Sequence, residues 1–574
     1  MSHLRIVAAA ALVVSGGIFL HANEVFAADV PSSVDPAKID NQLKLKPESP
    51  KISAGGAVSG SDSNRDTPIG ASSFKFKMQS IKLEGSSVFD DLEIQERFAS
   101  LLGNDVTVAE IYQAAADLTA AYRNKGFILS SVIVPPQKID RGNVRLQAVE
   151  GYIDRVKVEG FDDLQRDAIL VLLANVVGVI PLNATTLERY LLLAGDLPGV
   201  SVKSFIRPSS DNSGAAILDV KGRHKFFSTA ASVDNRGSEF IGPYNANASV
   251  SLNGIGTAGT AINGRVIFTP VNPSELRYGN LVLTQELDSN GTGLQFSISG
   301  LESSPGGALT ALDLKSQSLS ADLTVRSKVI RTRGENLTLS AGVSFQNAYT
   351  NSLSARLSED NSRTVRVGAV YQFLDAFFGA NMASLTLHQG LGIVGGTAKG
   401  SALLTRADAD PAATWVTASA SRVQRLTPSL SASLSVSGQY SLKPQTASRE
   451  FSVGGRANGS AFDSSEISGD QGISGRIELA YAFDMGDMPD DLRAYADLSG
   501  GQIYMFGDGG AVWQHSDSSG GQVDDALASA GIGLRLNLSS FASVEVELAQ
   551  PVVRQVDAEG DKKPRVFVNL LGRF

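Results

Sequence analysis

Residues 429–442 alternate without a break. Leu430, Ala432, Leu434, Val436, Gly438, Tyr440 and Leu442 fall on one side, and Ser429, Ser431, Ser433, Ser435, Ser437, Gln439 and Ser441 on the other. Successive side chains of a strand point to opposite faces, so the segment predicts a strand with one apolar and one wet face. The same period recurs at Leu319, Ala321, Leu323 and Val325 against Ser320, Asp322, Thr324 and Arg326. It recurs again at Val544, Val546 and Leu548 against Glu545 and Glu547. From about Phe226 onward such segments follow one another between Gly, Asn, Asp and Ser, giving about sixteen candidate strands, an even number as bacterial barrels have. A soluble β-sandwich or solenoid alternates too. Segments of about ten residues match tilted strands that cross a bilayer, and the expected fold for residues 225–574 is a transmembrane antiparallel β-barrel.

Upstream the period changes. Phe76, Met78, Ile81 and Leu83 suggest a strand, Asp90 and Glu93 are spaced as a capping box before a helix to Leu102, and Thr107 and Glu110 repeat that spacing before Ile111, Ala115, Leu118 and Tyr122. Gly126 ends this helix, and β-rich runs follow at Phe127–Val134 and Val144–Val149. A second strand–helix–helix–strand–strand unit reads Ile153–Val158, Asp162–Asn175, Thr186–Leu193, Val200–Ile206 and Ala215–Val220. The expected α+β units span 74–151 and 152–224. Each has an open sheet edge to which an extended peptide could add a strand.

The chain opens with a secretory signal pattern over residues 1–27: His3 and Arg5, an apolar run from Ile6 to Leu20, and small residues before a cut after Ala27. Residues 28–73 are rich in Ser, Gly, Pro, Asp and Lys and read as a linker, either a plain tether or one carrying a short plug helix around Pro36–Leu43. No later run is apolar for about 20 residues, so no transmembrane helix is expected. Charged residues are 19% with a formal net charge of -9, which argues against a nucleic-acid partner. Cysteine is absent and three scattered histidines, His224, His388 and His515, follow the signal segment, so neither a thiol nor a metal site is expected.

Tyr122–Gly160 resembles the first POTRA domain of two-partner secretion transporters, the TpsB family, including the Pro135-Pro136-Gln137 turn and the Val149-Glu150-Gly151 ending. YLLLAGDLPGV, Tyr190–Val200, is similar to the second POTRA of that family, and the resemblance runs to the terminal Phe574. A terminal aromatic residue resembles the assembly signal of outer-membrane strands. The resemblance implies an outer-membrane transporter with periplasmic POTRA domains and a sixteen-stranded barrel, acting as a monomer without cofactor. It implies a client-binding region around Pro135, Pro136, Gln137 and Gly151. Its expected partners are a secreted exoprotein, membrane lipid and the barrel-assembly machinery.

Between two alternating segments lies the glycine-rich stretch FSVGGRANGSAFDSSEISGDQG, part of an insertion over residues 443–472. Loops this long are functional or unstructured more often than not. In the family it follows the eleventh strand and folds back into the lumen; Phe451, Gly454, Gly455, Phe462 and Asp463 match that loop. The family's tip carries arginine, glycine and an aromatic residue, and its arginine pairs with a lumen aspartate. Here the tip reads Ser460, Ala461 and Phe462, and Asp497 in LRAYADLSGG is the expected aspartate, either hydrated or reached by Arg456.

Two other membrane functions fit the alternation alone, a passive porin and an outer-membrane insertase. The paired α+β units argue against the porin, and the short periplasmic part and missing tip arginine argue against the insertase. An enzyme is not expected, because there is no GxSxG elbow, no phosphate loop and no histidine in a triad context.

Overall fold

The computed structural model describes residues 31–44, 68–484, 500–515 and 524–574. The signal segment, the linker over 45–67 and Asp497 lie outside the described residues.

Two α+β domains precede the barrel. In the first, Ser80–Glu84 pairs in parallel with Asn143–Val149, which pairs antiparallel with Ser131–Ile133. The helices Asp91–Arg97 and Val108–Asn124 cover one face. Both capping boxes form, Asp90 with Glu93 and Thr107 with Glu110, each satisfying two backbone donors that a helix start leaves open. The apolar stripe Ile111, Ala115, Leu118 and Tyr122 is buried against Ile81, Leu83, Val144 and Leu146. The second domain repeats the plan, with Tyr152–Glu159 parallel to Ala215–His224 and Val200–Pro208 antiparallel to it. Each sheet therefore has two outer strands.

Val149-Glu150-Gly151 joins the domains. Tyr122 donates to Glu150 at 3.0 Å and shares a 2.7 Å hydrogen bond with the Ser86 hydroxyl, and Glu150 accepts from the backbone and side chain of Ser87 at 2.7 Å each. Burial pushes the Tyr122 hydroxyl up to about 12; Ser86 opposes this and the neighbouring Glu150 adds to it, so the phenol stays a proton donor at any physiological pH. Tyr122→Phe leaves Glu150 its two Ser87 bonds and should lower the denaturant stability of this domain by about 1 kcal/mol. A side chain at Gly151 would meet the Leu129 carbonyl oxygen at 2.2 Å, which is why glycine stands there.

Sixteen antiparallel strands close into a barrel from Phe227 to Arg573. Large apolar side chains that alternate outward are exposed, among them Leu319, Leu323, Leu434, Val436, Ile473, Ile477, Val546, Leu548, Val566 and Leu570. A belt of that extent is a lipid-facing surface. Their polar neighbours, including Ser318, Ser320, Glu545 and Glu547, are buried inside. No helix among the described residues is long and apolar enough to cross a membrane.

The barrel closes between its first strand, Phe227–Asp234, and its last, Arg565–Arg573. This seam pairs only Asp234↔Asn569 through Ala230↔Arg573. Ladders elsewhere run as long as Glu335↔Phe373 through Ser352↔Ala355. Beyond Asp234 the side-chain amide of Asn235 extends the seam, donating to the Val566 carbonyl at 2.8 Å and accepting from the Val568 N–H at 2.7 Å. At the other end Phe574 and Thr229 exchange backbone bonds of 2.8 and 3.0 Å.

The second α+β domain is tied to the barrel rim. Asp196, at the end of helix Ala184–Gly195, accepts from Arg331 Nη2 at 2.7 Å and Nε at 2.9 Å, and lies 3.2 Å from Lys328 Nζ. Arg189 of the same helix donates to the carbonyls of Asn290, Lys328 and Val329.

Candidate functional site in the barrel lumen

Among the described residues, two elements lie in the lumen. One is the helix Pro36–Leu43. Asp35 caps it, accepting from the N–H groups of Ala37 and Lys38 at 2.9 and 3.0 Å, and Pro36 occupies the first turn, where its missing donor costs nothing. Its side chains choose different walls. Asp40 is wholly buried and accepts from Ser299 at 2.6 Å, Gln346 at 3.1 Å, Ser318 at 3.4 Å and Ser320, all on neighbouring strands. Arg265 donates to the carbonyl of Leu43 at 3.1 Å, satisfying one acceptor of the helix end.

The second element is the segment between the eleventh strand, Leu430–Ser441, and the twelfth, Gln471–Phe483. It carries a short hairpin, Phe451–Val453 paired with Ile467–Gly469. Gly454 turns the chain at φ +124°, where a Cβ would meet the Asp463 carbonyl oxygen at 2.2 Å. Val453, Ala461, Phe462 and Ile467 of this loop share a buried apolar cluster with Tyr504, Phe506, Leu527 and Phe567 of the wall. Asp463 pairs with Arg565 at 2.9 Å.

Helix and loop meet at Glu450. Its carboxylate pairs with Lys38 at 2.9 Å and with Arg406, from the loop between Gly390 and Thr414, at 3.4 Å. Both Lys38 and Glu450 are 6% exposed. Ser468 hydrogen-bonds both, receiving from Lys38 at 2.7 Å and donating to Glu450 at 2.8 Å. Asn41 and Gln42 of the helix add bonds to Ser448 and Ser465.

The loop tip meets an aspartate, and it is Asp508. Ser460 donates to it from its N–H at 3.1 Å and from its hydroxyl. The expected Asp497 precedes the thirteenth strand, Gly500–Trp513, and is outside the described residues; Arg456 pairs with Glu545. The cation beside Asp508 comes from the wall. Arg476, on the twelfth strand, pairs with Asp508 at 2.9 Å, Glu478 at 3.2 Å and Glu547 at 3.3 Å, donates to Ser460 Oγ at 2.5 Å, and stacks over Phe506 at 4.0 Å. Around it Arg236 pairs with Glu547 at 2.7 Å, and Arg535 with Glu478 at 2.6 Å and Glu545 at 3.0 Å. Close packing of alternating charges lets this many ions stay desolvated.

The POTRA-region residues do local work. Gln137 bridges the N–H and carbonyl of Arg145 at 2.9 and 2.7 Å, pinning the Pro135-Pro136 turn to the sheet. Sequence reading missed Lys38, Asp40, Glu450, Arg476 and Asp508. Arg476 and Glu478 sit at i, i+2 on the polar face of an alternating segment, the one signal that could have pointed to the wall cluster.

A family model for the haemolysin secretion/activation proteins ShlB/FhaC/HecB matches residues 214–536, and one for the ShlB-type POTRA domain matches 76–151. The chain belongs to this family. It is a two-partner secretion transporter of the outer membrane, with its POTRA region in the periplasm and a secreted protein as client. The heme/hemopexin transporter protein HuxB of Haemophilus influenzae strain 86-028NP is 21% identical over 487 residues, covering 81% of each chain. Among solved structures, CdiB from Escherichia coli aligns with a TM-score of 0.71 at 17% identity over 93% of each chain. CdiB from Acinetobacter baumannii gives 0.63 at 17% identity, over 94% of this chain and 96% of its own.

Proposed function

We propose that helix Pro36–Leu43 and loop 443–470 together close the resting pore, and that a client polypeptide displaces the helix before it passes. The observation that carries this is the shared Lys38–Glu450 pair: the helix cannot leave without taking the nearer of two cations from a buried carboxylate that belongs to the loop. The client is received along the outer strands of the periplasmic sheets, Ser80–Glu84 and Ser131–Ile133 in the first domain and Tyr152–Glu159 and Val200–Pro208 in the second. The Pro135-Pro136-Gln137 turn flanks one of these edges and shapes the receiving face, and Gly151 sets the second domain against the first. The cargo crosses extended and folds into a β-helix outside. The transporter acts as a monomer without cofactor or catalytic step, and Phe574 serves its delivery to the barrel-assembly machinery.

Removal of residues 31–44 tests the closure. In a planar bilayer the shortened protein should show frequent large openings where the full chain is quiet, and should still export its client. A shortened protein as quiet as the full chain would overturn the plug. The client is sought first as a large neighbouring gene product with β-helix repeats and an amino-terminal secretion domain.

A further inference from the structure

We propose that Arg476, a wall residue, is the positioning residue for the loop tip, and that Ser460 acts as a neutral relay between it and Asp508. Arg476 and Asp508 face each other across paired strands, Arg476↔Asp508 in register, so their ion pair is built into the barrel before the loop arrives. The Ser460 hydroxyl fits between them in the one arrangement its chemistry allows, donating its proton to Asp508 and accepting from the Arg476 guanidinium. Arg476 Nη1 also lies 3.4 Å from the carbonyl of Arg456, so the guanidinium grips the tip backbone as well.

Undocking the loop then strands no carboxylate. Asp508 keeps Arg476 and Ser529, Glu547 keeps Arg236, Glu478 keeps Arg535 and Arg476, and Glu545 loses Arg456 but keeps Arg535. Arg565 loses Asp463 and retains Glu559 at 3.2 Å. A tip that carried the only cation for Asp508 would leave that charge bare whenever the loop moved, which is costly in a desolvated site. Here the tip docks on Asp508 through hydrogen bonds and apolar burial, the flanking Arg456–Glu545 and Asp463–Arg565 pairs give up no wall charge its last partner, and the wall is ready to receive the tip again after each client.

The test rests on the reading that the docked loop belongs to transport, and two separate readouts keep the two ideas apart. The chain has no cysteine, so Ala461→Cys, at a position fully buried in the docked tip, reports docking by its reaction with a membrane-impermeant maleimide. In that background we expect Arg476→Ala to raise labelling at least tenfold and to cut client secretion several-fold, with surface barrel detected by heat-modifiable migration at the parent level. Ser460→Arg alone adds a cation beside Arg476 and should also raise labelling. Ser460→Arg combined with Arg476→Ser returns one arginine to the site and should bring labelling back to within about twofold of the parent, a rescue that a merely structural role for Arg476 would not give. Parent-like labelling in Arg476→Ala, or no rescue in the double variant, overturns the assignment. Altered labelling with unchanged secretion keeps the assignment of Arg476 and removes the loop from transport.

Discussion

Glu450→Ala should turn the resting pore leaky. Lys38 would keep only the hydroxyls of Ser32 and Ser468 in a site where it is 6% exposed, and Arg406 would turn wholly to Asp408 and Asp470. Removing one partner of a buried ion pair costs about 3–5 kcal/mol, because the other is left charged without its counterion. Applied to the closed state, that is a rise of about a hundredfold to a few thousandfold in the open-to-closed ratio. Single-channel recording reads it directly. The double variant Lys38→Ala with Glu450→Ala removes the stranded charge and should leak less than Glu450→Ala, whereas a double variant that leaks as much as the sum of the singles would show that no coupling exists.

The second large effect is expected at the rim. Asp196→Ala strips Arg331 and Lys328 of a shared carboxylate; Arg331 is 6% exposed, and it keeps only the Asn336 amide and the Thr332 carbonyl. We expect a loss of about 3 kcal/mol in the attachment of the second periplasmic domain. Spin labels on that domain and on the rim should give a broader distance distribution, since Arg189 and the Glu188–Arg333 pair remain. Burial alone would raise the Asp196 carboxyl, but Arg331 and Lys328 outweigh it and hold the group below the usual carboxylate range. A depressed folded value means that this contribution is complete above the unfolded value of about 4 and is lost only as pH falls through the folded one. The label distances should therefore be unchanged from pH 8 to about pH 5 and broaden only below about pH 4. Broadening already at pH 6 would contradict this account.

Much of the architecture was legible because its signals are local. Strand alternation and the capping pairs Asp90/Glu93 and Thr107/Glu110 each lie within a few residues, and the barrel and the first helices follow from them, while the helix Pro36–Leu43 was one of two readings of its linker. Whether that helix fills the lumen was not legible. Asp40 is held by Ser299, Ser320 and Gln346, which lie 259, 280 and 306 residues away along the chain. The sequence pattern around Asp497 and around Asp508 is similar, an acidic residue followed closely by glycine. Only the register of the twelfth and thirteenth strands brings Asp508 opposite Arg476, and register depends on a whole ladder rather than on either residue. The missing tip arginine was visible at Ser460, but its replacement lies on another element.

The short seam has a bearing on how the molecule is made. All other neighbouring strands in the barrel follow one another in sequence, so each can zip up as a hairpin beside its predecessor. The first and last strands are separated by most of the chain, 333 residues between Asn235 and Val568, and their rungs can form only after the rest of the sheet has curled round. Closure entropy is thus met once, at the final step, by five paired rungs, the Thr229–Phe574 backbone exchange and one asparagine amide. Until that step the sheet has two bare edges, and the order of manufacture runs from local hairpins to a single remote join.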